Sequence, residues 1–146
     1  SNYAVIENYM NACMEDSAHD NQHIYRVLFN ALRIAQKEKD ADKLDVAGAM
    51  GIARTLIYKG IVKEPMYSLL PDGSVSNGEN DITPSFFQEY KYKLESLYSN
   101  FYTTEAEVIA KERQAAAVAF YNSLYDEVKS SYENGKEELG KILEQD

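Results

Sequence analysis

Apolar residues recur at helical intervals along most of the chain, and no segment alternates convincingly in the two-residue period of a strand. The predicted helices cover, in order, residues 3–14, 23–35, 40–58, 84–102, 104–132 and 137–143. Segments of this length with one apolar stripe each can bury a shared core. We therefore predict an all-α fold, a single-domain helical bundle of about five to six helices over residues 1–146.

Residues with known preferences for helix starts support two of these boundaries. Pro84 suits the first turn of the fourth helix, with Ser85 or Thr83 as its start signal. Thr104 and Glu107 have the spacing of a capping box, which predicts the start of the fifth helix.

Glycine and proline mark the predicted ends and the main loop. Gly60 stands where a C-terminal cap would end the third helix, and Asn134-Gly135 is expected to break the fifth. Residues 61–83 carry Asp72-Gly73 and Asn77-Gly78, which are typical of turns. We predict a long loop there, of the kind that often serves as a lid or a binding loop.

The composition limits the possible functions. A net charge of −9 gives no support for an electrostatic grip on a nucleic-acid polymer, which needs clustered Lys and Arg. The single cysteine, Cys13, rules out an internal disulfide and fits a reducing compartment. No run approaches the length of a membrane span, so we expect no membrane contact and a soluble, cytoplasmic protein. The sequence is silent on the oligomeric state.

An acidic stretch, Asp40 to Asp45, precedes a helical pattern of small and apolar side chains that includes Gly48 and Gly51. Each glycine costs a helix about 1 kcal/mol relative to alanine, so a close approach of another backbone is predicted. The acids have two interpretations. A metal ion can hold them in the ionised form, or Asp42 can cap the helix while the others lie in its first turn.

The two histidines, His19 and His23, stand four residues apart. On one helix they would share a face and could bind a metal. Alternatively, only His23 lies on the helix and has a hydrogen-bonded structural role. The Glu that a zinc-protease pattern needs after the first histidine is replaced by Asp20.

Together these motifs resemble the HD-domain metal-dependent phosphohydrolases, and most closely the bacterial subgroup that includes nucleotide pyrophosphatases. The resemblance rests on Ala18-His19-Asp20-x-x-His23-x-x-Arg26-Val27, Asp40-Ala41-Asp42-Lys43-Leu44-Asp45 and Gly48-Ala49-x-Gly51-Ile52-Ala53-Arg54. Phe86-Phe87-x-Glu89-Tyr90-x-x-Lys93-Leu94, Thr104-x-Ala106 and Ala110-Lys111-x-Arg113 are similar to the C-terminal helices of that subgroup. The resemblance covers nearly all of the chain.

The resemblance implies a site as well as a fold. In that family a histidine, a consecutive His-Asp pair and a later aspartate hold the metal, and by position His23 matches the first ligand and Asp42 the last. It also makes Arg26, Lys43 and Arg54 candidates for phosphate contact or ligand support, with a charge at the surface or at a helix end as the alternative for each.

The activity implied is hydrolysis of a nucleotide or related phosphate compound by metal-activated water. Mixed His and carboxylate ligation suits manganese, iron, nickel, zinc or cobalt better than calcium, and magnesium is a further candidate. The partner is then a small-molecule phosphate substrate, and lysine and arginine neutralise the charge on its phosphoryl oxygens.

The central His-Asp pair of the family has no counterpart here, because only residues 33–39 separate the second helix from the acidic stretch. His19-Asp20 belongs to the first motif and does not replace it. Either a segment near residues 37–42 is missing from this sequence, or the protein lacks it and is an inactive helical module that senses a ligand or mediates assembly. We favour a missing segment, because deletion of core helices should leave apolar faces uncovered.

Overall fold

The computed structural model describes residues 25–26, 29, 38–99 and 101–145. Its helices are α1 (Glu38–Asp45), α2 (Gly48–Ile61), α3 (Phe86–Glu89) and α4 (Thr104–Glu144), with a π-helical turn (Tyr90–Leu94) and a 3-10 turn (Leu97–Ser99) before α4. Tyr25, Arg26 and Phe29 also have helical backbone. In these ranges the extended structure is limited to one antiparallel bridge between Leu69 and Val75. The predicted all-α class is confirmed.

None of the helices in the described ranges combines the length and the apolar character that a bilayer crossing requires.

The third predicted helix is wrong as a single element, because a turn at Val46 and Ala47 divides it into α1 and α2. Gly48 has a φ of 68°, which a continuous right-handed helix does not allow. Asp42 lies inside α1 and does not cap α2; the N-cap of α2 is Ala47, which offers no side-chain hydrogen bond. The capping interpretation of Asp42 is therefore wrong for α2.

The close backbone approach predicted from the small residues is confirmed at two glycines. A Cβ on Gly48 would lie 2.8 Å from the Cβ of Arg113, and one on Gly51 would lie 1.9 Å from the carbonyl oxygen of Val46. Gly60 has open space around it and lies inside α2, so its predicted role as a C-terminal cap is wrong.

The predicted helix over residues 84–102 is replaced by shorter elements. Ser85 is the N-cap of α3, and its hydroxyl accepts a hydrogen bond from the Gln88 amide at 3.0 Å. The Glu95 amide then donates to the Tyr90 carbonyl at 2.7 Å, five residues back, which widens the helix by one residue. This wide turn leaves both Tyr90 and Leu94 buried in the core.

Helix α4 has its N-cap one residue earlier than predicted, at Thr103 and not at Thr104, and runs past the predicted break. Thr103 is its N-cap and accepts from the Ala106 amide at 3.2 Å. The helix has 41 residues and is therefore about 60 Å long. Gly135 lowers the helix propensity at its position but does not break α4. The Asn134 side chain donates a hydrogen bond to Ser130, one turn back, at 3.3 Å.

The core lies where α1 and α2 pack against the first half of α4. Tyr90 and Tyr121 stack at its centre, with ring centroids 4.0 Å apart. The buried apolar residues are Leu44, Ala47, Ile52, Val75, Phe86, Phe87, Tyr90, Leu94, Tyr98, Ala106, Ile109, Ala110, Ala117 and Tyr121.

Residues 62–84 form the predicted long loop. Gly73 and Gly78 have φ angles of 83° and 93°, as tight turns require. Asp81 accepts hydrogen bonds from the Ser68 hydroxyl at 2.7 Å and from the buried Ser76 hydroxyl at 2.9 Å, which closes the loop on itself. A lid or binding role for this loop stays a prediction.

Helix α2 leaves one apolar side exposed, which we call the outer face of α2: Met50, Ala53, Ile57 and Ile61. The side chains of Ile57 and Ile61 are 65% and 74% exposed. Apolar residues at this spacing usually face a partner.

Candidate functional site

One buried carboxylate organises the corner between α1 and α2. Asp45 is 1% exposed and receives two guanidinium groups. Arg26 Nε donates to its Oδ1 at 2.8 Å, and Arg54 Nη1 donates to its Oδ2 at 2.6 Å. We call these three residues the Asp45 cluster. Since a buried carboxylate needs charged or hydrogen-bonded partners, the two arginines explain why Asp45 can lie in the core.

Two further hydrogen bonds attach this corner to the C-terminal part of the chain. Arg113 on α4 donates from Nη1 to the Leu44 carbonyl at 2.7 Å, and the Gly48 amide donates to the Tyr98 hydroxyl at 2.9 Å. Burial raises the pKa of the Tyr98 hydroxyl, while the Gly48 hydrogen bond and the Arg113 charge oppose that rise. The end of α1 is therefore attached to α4, and the first turn of α2 is attached to the 3-10 turn.

A cleft of about 640 Å³ opens beside the Asp45 cluster. Its lining residues are Tyr25, Arg26, Phe29, Asp45, Ala47, Ala49, Met50, Glu112, Arg113 and Ala116. The volume lies within the range of small-molecule sites. The cleft is therefore lined by aromatic and aliphatic side chains and by two guanidinium groups. Such a site suits an anion that carries an apolar or aromatic part.

The structure brings two of the predicted site residues together. Arg26 and Arg54 share Asp45, and Arg26 also lines the cleft. Lys43 lies elsewhere: its Nζ is 5.2 Å from the ring centre of Tyr102, within reach of a cation–π interaction.

The predicted metal ligands are placed only in part. Asp42 is exposed on α1, three residues before Asp45, and His23 and His19 lie outside the described residues. The roles of Asp42 and His23 in metal binding, and of the two arginines and Lys43 in phosphate contact, stay predictions.

A metal site needs several donor groups close together, and the described ranges do not contain a group of three or more His, Cys, Asp or Glu side chains suited to one. Both oxygens of Asp45 accept from guanidinium groups, so this carboxylate is a poor metal ligand. Asp42, which is exposed, is the better donor by position. A complete donor set therefore depends on residues beyond those described.

Sequence reasoning missed the two residues on which the geometry depends most. Asp45 was seen only as part of the acidic stretch, and its three-residue spacing from Asp42 did not distinguish a buried partner of arginine from a helix-end charge. Arg113 entered only as part of a family-like motif. Its hydrogen bond to Leu44 crosses 69 positions of sequence, which no local pattern encodes.

Comparison with known proteins gives a likeness in fold only. No protein-family model and no curated protein matches this chain. A solved structure that does match is the crystal structure of a Lactobacillus plantarum protein, a structural-genomics target, with 25% sequence identity and a TM-score of 0.51. The match covers 76% of this chain and 60% of that one, so this chain corresponds to about three fifths of the other protein's length.

Proposed function

We propose that the protein is a metal-dependent phosphohydrolase that cleaves a nucleotide or a related phosphate compound with metal-activated water, and that it acts in the cytoplasm. The ion pair between Arg26 and Asp45 is the observation that carries this proposal. It joins the motif that contains His23 to helix α1, which contains Asp42. Three residues of chain extend at most about 11 Å, which limits how far the backbone at His23 can lie from that of Arg26, and the ion pair holds Arg26 against α1.

The cleft supplies the cationic groups that a phosphate compound needs. Arg26 and Arg113 line it, and one guanidinium group can donate two parallel hydrogen bonds to a phosphate. Asp45 neutralises part of this charge and fixes the orientation of the Arg26 side chain. The two arginines are balanced by two carboxylates in the lining, Asp45 and Glu112, so the guanidinium groups would hold the anion by directed hydrogen bonds and not by an excess of positive charge.

His23 and Asp42 would hold the metal, with further donors outside the described residues or from a central His-Asp segment. When bound, a divalent cation lowers the pKa of a coordinated water and polarises a phosphoryl oxygen. The contribution of the chain is then to bind the anion at Arg26 and Arg113 and to keep α1 fixed through Asp45.

A second function, an inactive module that senses a phosphate ligand or mediates assembly, is favoured by a different observation. The described residues contain no set of three metal donors, whereas the cleft that Arg26 and Arg113 line is present. Such a module would bind the same class of ligand without cleaving it.

Metal analysis of the purified protein, followed by a phosphatase assay with nucleotides across divalent metals, separates the two functions. The variants are His23→Ala and Asp42→Ala, with Asp126→Ala as the control; Asp126 is an exposed aspartate on α4. Bound metal, and turnover that both test variants lose and the control keeps, supports the hydrolase. Nucleotide binding without turnover under any metal supports the module.

A further inference from the structure

Two large aromatic rings line the cleft while more than half of their surface is exposed. Tyr25 is 55% exposed and Phe29 is 59% exposed. They stand four residues apart in the sequence, and both line the same cleft. Exposed aromatic side chains beside a cavity are typical of surfaces that bind a ligand.

The other walls of the cleft divide into an apolar part and a charged part. Met50 and three alanines continue the apolar surface from the rings, while Arg113 and Glu112 contribute charge from α4 and Arg26 from the aromatic segment. A ligand that fills such a site has one flat apolar part and one anionic part. A nucleotide has both, since its base stacks on aromatic rings and its phosphate binds guanidinium groups.

We propose that Tyr25 and Phe29 form a stacking surface for the base of a bound nucleotide, whose phosphate lies toward Arg26 and Arg113. This inference rests on the proposed function and names the substrate feature that the same cleft recognises. Stacking on an aromatic side chain contributes enough to change affinity by about tenfold. Nucleotides therefore bind more tightly than phosphate compounds that lack a base.

The test compares adenosine 5′-monophosphate with ribose 5-phosphate, which differ only in the base. Binding is measured by calorimetry in EDTA, so that hydrolysis does not interfere. We expect adenosine 5′-monophosphate to bind about tenfold more tightly, and Tyr25→Leu and Phe29→Leu each to remove most of that difference while the affinity for ribose 5-phosphate is unchanged. Tyr58→Leu is the matched control, because Tyr58 is also 55% exposed and lies outside the cleft.

A conservative variant keeps the test valid if the leucine variants fold poorly. The chain has no tryptophan, so Phe29→Trp places a single indole in the cleft. We expect this variant to keep its affinity and its emission to be quenched by adenosine 5′-monophosphate and not by ribose 5-phosphate.

Equal affinity for the two compounds, or an unquenched indole in the bound complex, overturns the stacking inference and leaves the phosphohydrolase proposal intact. If neither compound binds, the inference is overturned and the cleft is not the substrate site. The phosphatase assay then decides separately whether the protein is a hydrolase.

Discussion

The inner and outer sides of helix α2 have similar apolar composition and very different surroundings. On the inner side Gly51 packs against the carbonyl of Val46, and the buried Lys59 forms ion pairs with Glu64 and Glu89. On the outer face Ile57 and Ile61 have most of their surface exposed. A helix that is apolar nearly all round normally lies inside a protein. The comparison shows that α2 has the sequence of a buried helix and only one side covered.

An uncovered apolar face is the result we expect when core helices are missing from a bundle. The backbone is a continuous helix from Glu38 to Asp45, across most of the range where we placed the junction. The additional segment itself stays a prediction. The outer face of α2 is the surface that such a segment would be expected to cover.

The largest effect is expected at the Asp45 cluster. Asp45→Ala leaves Arg26 and Arg54 without their shared carboxylate, and loss of one partner from a buried ion pair costs about 4 kcal/mol. Urea denaturation measures this change in the free energy of unfolding. Asp126→Ala, on the exposed side of α4, should change it by less than about 0.5 kcal/mol. A similar result for both variants would mean that the cluster does not stabilise the corner.

The next effect comes from adding one methyl group to the inner side of α2. Gly51→Ala places a Cβ within 1.9 Å of the Val46 carbonyl oxygen, so the helix has to move, at a cost of about 3 kcal/mol. The same substitution at Gly60, which has open space, should stabilise the protein by about 0.5 kcal/mol. Thermal unfolding should show a loss of stability in Gly51→Ala and a gain in Gly60→Ala. A loss of stability in both variants would contradict the role of the contact with Val46.

Alkaline pH should destabilise the core through the buried hydroxyl of Tyr90. Burial raises the pKa of Tyr90 from 10.0 to about 12. The contribution of Tyr90 to the free energy of unfolding is therefore fully present below pH 10. Above that pH the hydroxyl ionises first in the unfolded state, which lowers the free energy of unfolding by about 2 kcal/mol near pH 12. Tyr90→Phe should reduce the pH dependence of unfolding in this window, to which Tyr98 and Tyr121 still contribute because burial raises their pKa as well. An unchanged pH dependence in Tyr90→Phe would be evidence against this hydroxyl as a cause.

The smallest change in stability is expected on the outer face. Ile57→Thr and Ile61→Thr should alter the free energy of unfolding by less than about 0.5 kcal/mol and reduce the binding of a hydrophobic dye. Ile52→Thr, on the buried side of the same helix, should cost about 2 kcal/mol. If dye binding stays the same in the outer-face variants, the exposed apolar surface lies elsewhere.

The sequence was sufficient for the all-α class and for the long loop, because helical periodicity and turn residues act locally. It failed at Gly48, since an isolated glycine in an apolar run is compatible with either a helix or a positive φ. The opposite error occurred at Gly135: Asn134-Gly135 predicted a helix break, and the structure has a continuous helix there. Contacts with Tyr98 and Arg113 fix the conformation of Gly48, whereas Gly135 has open space around it and continues the helix on either side.

The site shows the same limit. Arg26 and Arg54 were identified through a family resemblance, while their shared partner Asp45 was not. Arg26 and Asp45 are 19 residues apart in sequence, and only the packed structure shows that Asp45 is buried between two guanidinium groups. The aromatic character of the cleft was also missed, because Tyr25 and Phe29 resemble ordinary core residues until their exposure is known.

The position of Asp45 has a practical consequence for protein engineering. Neutralising this carboxylate would make the cleft more basic, but it would also loosen the joint between α1 and α2. Glu112 lines the same cleft from the exposed side of α4. A designer who wants stronger anion capture without a weaker scaffold should therefore change Glu112 and leave Asp45 in place.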